Sequence, residues 1–307
     1  MLSRNQMDSF TYMEQKIEKF MRKYALCPRY MAWRIMWASF RALFLKNIPH
    51  IPQAHGLLLD IQLASFKFLQ EIDRVCKESN LVYWIDFGTL LGAVRHGGFI
   101  PWDDDIDLSM PRKDYEQFAH IFNKKTKNSQ LYAEYCFDSR RSSVILKVKH
   151  KKIPKVFIDI FSIDFCDIKM NDKEKLFFTD KIKKLAKRKS YPQGDAYSPQ
   201  KLHKECLHQR KQIPGLKDTA PAKMVFYGIE YFHRGHKYNA FDYETIFPLK
   251  TISFCGRFFP CVAKTDIYLS QCFGNYKKLP KKLHFHSLEA SFTSNEKKAL
   301  RVFLEKK

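Results

Sequence analysis

No window of this 307-residue sequence approaches eighteen uninterrupted apolar residues, and the most apolar stretch, Met31 to Leu45, is broken by Arg34 and Arg41. A bilayer-crossing helix is therefore not expected. The eight cysteines (Cys27, Cys76, Cys136, Cys166, Cys206, Cys255, Cys261, Cys272) include no Cys-x-x-Cys pair, so neither a zinc site nor a disulfide framework is indicated and reduced thiols are expected. Met1 to Thr11 carries Arg4 and Asp8, with no short apolar run and cleavage site behind it. A secretory signal is thus not expected, and a cytoplasmic location is. Acidic residues are scarce, 32 against 54 Lys and Arg, which leaves a net charge of +22. Such a charge favours encounter with nucleic acid, an anionic membrane surface or an acidic glycan, without choosing among them. There is no internal repeat and no recognisable RNA-binding module. Asp86-Phe87-Gly88 matches a kinase tripeptide, but the glycine-rich loop and catalytic-loop signature of kinases are missing.

What is present can build a core. With 45% hydrophobic and 15% aromatic residues, the chain suits one large domain with appendages. Residues 1–54 read as a helical extension in which Trp33, Trp37, Phe40 and Phe44 form one aromatic stripe flanked by Arg34 and Arg41. Two readings stay open: a stripe packed on the domain, or an interfacial helix seated at anionic lipid headgroups. Residues 55–307 form the expected catalytic domain, starting with a long amphipathic helix over Gly56–Ser79. Strands are expected at Leu81–Phe87, Ile106–Met110, Tyr132–Cys136, Ser143–Lys149 and Val156–Phe161, and helices at Thr89–Arg95 and Arg112–Asn123. That mixture predicts an α+β fold. Residues 169–217, with the basic run Lys181–Lys189, read as a helical insertion that is either a solvated face or a polyanion contact.

The chemistry concentrates between Trp84 and Leu108. Gly88-Thr89 ends a strand and opens a helix, leaving free backbone N–H groups and a positive dipole end where a phosphate can sit. A side chain at position 88 would obstruct that approach. Alternation along the following strand puts Asp105 and Asp107 on one face while Ile106 and Leu108 point inward. Two carboxylates that close repel unless a divalent cation lies between them, and hard oxygen ligands favour Mg²⁺ or Mn²⁺. Asp159, an acid in the apolar strand Phe157–Phe161, needs a partner and is the expected third ligand and candidate base. Arg95 and His96 are candidate phosphate contacts or simply a helix C-terminal pair before Gly97. Lys147, which shares a strand face with Lys149, is a further candidate phosphate contact.

The string from Phe87 to Tyr115, Phe-Gly-Thr-Leu-Leu-Gly-Ala-Val-Arg-His-Gly-Gly-Phe-Ile-Pro-Trp-Asp-Asp-Asp-Ile-Asp-Leu-Ser-Met-Pro-Arg-Lys-Asp-Tyr, resembles the LicD family. Val156–Asp164 and the C-terminal stretches Phe247-Pro248, Phe259-Pro260, Asp266–Leu269 and Phe273–Pro280 are similar to it as well. The resemblance implies a nucleotidyltransferase-like fold and transfer of phosphocholine from CDP-choline to a sugar of a surface glycan such as lipopolysaccharide or teichoic acid. Fukutin-type ribitol-phosphate transferases would be distant relatives. It implies the aspartate pair at Asp105 and Asp107, with Asp103 and Asp104 in the same run, and the third acid at Asp159. Ser162 stands where the family usually has proline, and Asn275 where aspartate is common. A place on the cytoplasmic face of the inner membrane would fit the glycolipid acceptor. Two rival readings are a nucleotidyltransferase acting on RNA or a small nucleotide, and a non-catalytic membrane-surface scaffold; the intact acid set speaks against the second.

Overall fold

The computed structural model describes residues 54–137, 143–186, 198–234, 240–279 and 291–305. The Trp33–Phe44 stripe and the stretch from Lys187 to Gly194 lie outside these residues. The helices are α1 (Gly56–Glu78), α2 (Phe87–His96), α3 (Arg112–Lys125), α4 (Asp172–Ala186), α5 (Pro199–Arg210), α6 (Tyr243–Ile246), α7 (Thr265–Phe273) and α8 (Ser294–Glu305). The strands are β1 (Trp84–Ile85), β2 (Ile106–Pro111), β3 (Leu131–Phe137), β4 (Val144–His150), β5 (Phe157–Cys166), β6 (Leu216–Lys217), β7 (Met224–Tyr227), β8 (Ala240–Asp242), β9 (Lys250–Phe254) and β10 (Arg257–Cys261). Eight strands make one mixed sheet, so the class is α+β. Its main path is β1-β2-β5-β4-β3, with only β2 and β5 parallel; β6 and β7 join the far half of β5, and β8 joins β7. A separate β9–β10 hairpin lies beside α2 and β1.

Period-two burial sets the two faces of the sheet. Ile106, Leu108, Met110, Ile158 and Ile160 are fully buried, and α1 and α3 pack on these strands. Asp107, Phe157, Asp159, Lys147 and Lys149 alternate with the buried set and remain half-buried on the other side. The core of α1 is a broad apolar stripe that includes the fully buried Ile61, Phe68, Leu69, Ile72 and Val75, and that burial rather than capping holds the helix.

Three expectations shift in extent. The strand foreseen over Leu81–Phe87 shrinks to Trp84–Ile85, because Asp86 accepts a hydrogen bond from Phe87 N (2.7 Å) and caps α2 there. The strand foreseen to end at Phe161 runs on to Cys166, because β6 and β7 supply partners for its second half. Within the region 169–217, read as an insertion, α5 buries Leu202, His203 and Cys206 and β6 pairs with β5, so this stretch contributes to the core. His203 Nε2 lies 2.8 Å from Glu116 and its Nδ1 3.5 Å from Glu230. Glu230 also meets the buried Arg112 (2.6 Å), whose guanidinium makes two 2.9 Å bonds to Asp164. Among the described residues no helix is long and apolar enough to cross a membrane.

Candidate active site

The site forms where β1 hands the chain to α2 and where the acidic loop enters β2. Asp86 N–H donates to the carbonyl of Asp107 (2.9 Å), and Asp107 N–H donates to the Thr89 hydroxyl (2.8 Å). The first turn of α2 is thereby fastened to the strand that carries the acids. Thr89 is buried and spends its hydroxyl on this fastening, so of the expected phosphate pair the backbone around Gly88 is the part that faces the carboxylates. A Cβ at Gly88 would stand 2.9 Å from Asp103 Oδ2 and 3.9 Å from Asp107 Oδ2. Glycine is needed here because two carboxylates close over the helix N-terminus, a placement that the helix dipole favours.

Strand register brings the other acid alongside. Asp107 pairs with Asp159 across the parallel β2–β5 ladder, and Asp159 pairs with Lys147 across β5–β4. Lys147 Nζ lies 2.5 Å from Asp159 Oδ1 and 3.6 Å from the centre of the Phe157 ring. Asp103, Asp104 and Asp105 precede β2, and one ligand oxygen from each lies within 4.8 Å of the others. Among the described residues this is the grouping that closes to the span of one ion. Of the expected trio, Asp107 and Asp159 stand side by side across the ladder, Asp105 groups with Asp103 and Asp104, and Lys147 is ion-paired with Asp159.

Electrostatics marks Asp107. Its side chain is half-buried yet closely walled by protein, and burial first, then the carboxylates of Asp105, Asp159, Asp103 and Asp86, hold its carboxyl well above the ordinary range. All donors here are carboxylate oxygens, the set that Mg²⁺ or Mn²⁺ takes, and a dication would relieve the repulsion. The residues fit such an ion.

Arg95 and His96 are not brought to this cluster. They end α2, about 10 Å along the helix from Gly88 at its normal rise. Arg95 donates to His96 Nε2 (2.9 Å) and to the Tyr276 carbonyl (3.2 Å), and Gly97 closes the helix at φ 69°. The C-terminal pair is the reading this geometry supports. Lys149 bonds Glu134 at 3.0 Å.

Two positioning residues escaped the sequence reading. Gln62, buried in α1, donates from Nε2 to the carbonyls of Ile100 (3.3 Å) and Asp103 (2.7 Å) and pins the acidic loop. Asp86 is fully buried, which pushes its carboxyl upward although Ser109, Tyr227, Tyr268 and Phe87 N all donate to it. An Asp at the end of a strand and before Gly-Thr is an N-cap signal that could have revealed Asp86. Nothing local marks Gln62.

The α+β sheet thus sets a group of aspartates against the N-terminus of the helix that Gly88 and Thr89 open. Residues 80–214 match the LicD/FKTN/FKRP nucleotidyltransferase domain, so the chain carries a domain of the LicD family. It is 28% identical to the lipopolysaccharide cholinephosphotransferase LicD of Haemophilus influenzae, over 73% of this chain and 92% of that protein. It is 48% identical to the human ribitol 5-phosphate transferase FKRP over 40 residues, 13% of this chain and 8% of that protein. A mannosyltransferase regulator of Saccharomyces cerevisiae matches at 32% over 18% of the chain and 5% of its own length.

Proposed function

We propose that this protein is a metal-dependent phosphotransferase that moves phosphocholine, or a related phospho-alcohol, from a CDP-linked donor to a sugar of a cell-surface glycan or glycolipid. The observation that carries the reading is the gathering of carboxylates at the N-terminus of α2: Asp103 and Asp107 lie over Gly88, Asp105 groups with Asp103, and Asp159 stands opposite Asp107 on the sheet. The likeness to the Haemophilus protein over most of its length supports the choice of transferred group and acceptor class. Asp103, Asp104, Asp105 and Asp107 would hold Mg²⁺ or Mn²⁺, with Asp159 beside them. When bound, the ion neutralises charge on the donor's pyrophosphate oxygens.

The chain's own groups do the rest. The N–H groups at the start of α2 would face the phosphate, and Lys147, next to Asp159, offers a cation on the same sheet face. An acceptor hydroxyl oxygen forms the new bond to the outer phosphorus as the bond to the departing CMP oxygen breaks. The hydroxyl proton passes to a carboxylate of the cluster, with Asp159 as the candidate.

Purified full-length protein with Mg²⁺ and CDP-choline should release CMP in the presence of a lipopolysaccharide or teichoic acid acceptor. Asp105→Asn and Asp107→Asn should lower that release by at least a hundredfold. Equal rates in all three proteins would refute the assignment.

A further inference from the structure

We propose that Tyr227 and Tyr268, acting through Asp86, are positioning residues by which the C-terminal third of the chain braces the active site. The inference rests on reading the aspartate cluster as that site. Neither tyrosine lies within residues 80–214, the segment that matches the family domain. Tyr227 ends β7 and Tyr268 sits in α7, yet both hydroxyls donate to Asp86, Tyr227 at 2.5 Å to Oδ2 and Tyr268 to Oδ1. The two hydroxyls also lie 2.5 Å from one another.

Asp86 in turn ties the start of α2 to strand β2. Oδ1 receives the first N–H of α2 at Phe87, and Oδ2 receives the hydroxyl of Ser109, two residues beyond Asp107 on β2. The backbone N–H of Asp86 donates to the Asp107 carbonyl. Phe87 itself has φ 38°, a left-handed conformation uncommon for a non-glycine residue and costly unless its surroundings impose it. The imposing surroundings are visible: the Phe87 ring stacks on Tyr227 at 4.9 Å and packs edge-on against Phe161 at 5.0 Å. Four donors meeting one buried carboxylate fix the angle at which α2 leaves β1. That angle decides whether the N–H groups near Gly88 and the carboxylate of Asp107 face each other. The tyrosines are thus placed to hold the strained start of α2 without touching substrate.

Removing only the hydroxyls separates bracing from packing, since Tyr→Phe keeps the buried rings. In the Y227F/Y268F protein, amide hydrogen exchange at Leu90 and Asp107, whose N–H groups are bonded to the Asp86 carbonyl and the Thr89 hydroxyl, should quicken by about tenfold or more, the size of one or two lost charge-assisted bonds. Exchange in β3 and β4 should stay as in wild type. Titration with Mn²⁺ alone, followed by the free-ion paramagnetic signal, should show affinity weakened by about tenfold in the same variant. Asp86→Asn, which keeps one acceptor oxygen, should be milder than Asp86→Ala on both readouts.

Unchanged exchange at α2 and Asp107 would overturn the brace. So would an equal rise everywhere with Mn²⁺ affinity unaltered, the pattern of general destabilisation. Should wild type itself fail to hold Mn²⁺ while exchange quickens only at α2 and Asp107, the active-site reading falls and the brace stands.

Discussion

Asp107→Asn should make the metal-free protein more stable and the metal-loaded protein less so. The geometry sets the size. One point, the place of a Cβ on Gly88, is 2.9 Å from Asp103 Oδ2 and 3.9 Å from Asp107 Oδ2, so these oxygens are no more than about 7 Å apart. At an effective dielectric near 20, two full charges at that separation repel by about 2 kcal/mol. Asp105 and Asp159 add to the repulsion, and burial adds desolvation, which together raise the Asp107 carboxyl well above its ordinary value. For an acid raised in this way the favourable contribution is complete below the ordinary carboxylate range and is lost as pH rises through the folded value. At neutral pH the wild type therefore carries a penalty that asparagine lacks. A gain of about 1–2 kcal/mol corresponds to a few degrees in melting temperature for a domain of this size. The assay is thermal melting of both proteins in EDTA and again in excess Mg²⁺ or Mn²⁺. In EDTA the variant should melt higher, with the advantage shrinking towards pH 4. With metal at about a hundred times its Kd the wild type should gain about 2.7 kcal/mol and overtake it. A variant that melts lower in EDTA, or gains as much from metal as wild type, would refute the reasoning.

The buried cluster around Arg112 gives two further expectations. His203 is raised from 6.5 to about 9: burial opposes this, but Glu116 and Glu230 outweigh it, so its contribution is complete below pH 6.5 and lost as pH rises through about 9. Denaturant titrations should show wild type losing up to about 3 kcal/mol relative to His203→Gln between pH 6 and 10. Arg112→Met would leave Asp164 and Glu230 buried without their main cation, and chemical denaturation should register a loss of about 3–5 kcal/mol. Gly88→Ala forces Asp103 aside, so CMP release should fall at least tenfold while the melting temperature moves by only a few degrees.

The local signals in the sequence were strong where a residue's role is set by its neighbours along the chain. Alternation in Ile106-Asp107-Leu108 and in Phe157–Phe161 matches the burial of those strands, and the ladder puts Asp107 opposite Asp159. Gly97 after Arg95-His96 foretold a helix end, which is where those two side chains are used. Long-range pairings were opaque. Nothing around Gln62 announces that its amide holds the loop 41 residues away, and nothing around Tyr268 announces a bond to Asp86 across 182 residues. The strand Leu81–Phe87 was overextended because its apolar run is also what a buried strand-to-helix turn looks like. The helices expected within 169–217 are there, but their docking is not legible in a lysine-rich stretch where Leu202, His203 and Cys206 are few and scattered.

The chain as a whole carries +22, which draws anionic donors towards it, yet the face around Gly88 presents several carboxylates, and the neighbouring Lys147 is already paired with Asp159. A pyrophosphate approaching the bare site meets like charge at short range, where the distant lysines are screened beyond about 8 Å at physiological salt. The proposed cation would reverse that sign locally. Donor affinity should then depend on metal far more than on background salt. Equilibrium dialysis of CDP-choline against the full-length protein should find binding at least tenfold weaker in EDTA than in Mn²⁺. Lys147→Gln should weaken it further only in the metal-loaded form, where the lysine is released to meet phosphate. Equal donor affinity with and without metal would mean that the carboxylates do not face the pyrophosphate, and the placement of the donor over α2 would have to be abandoned.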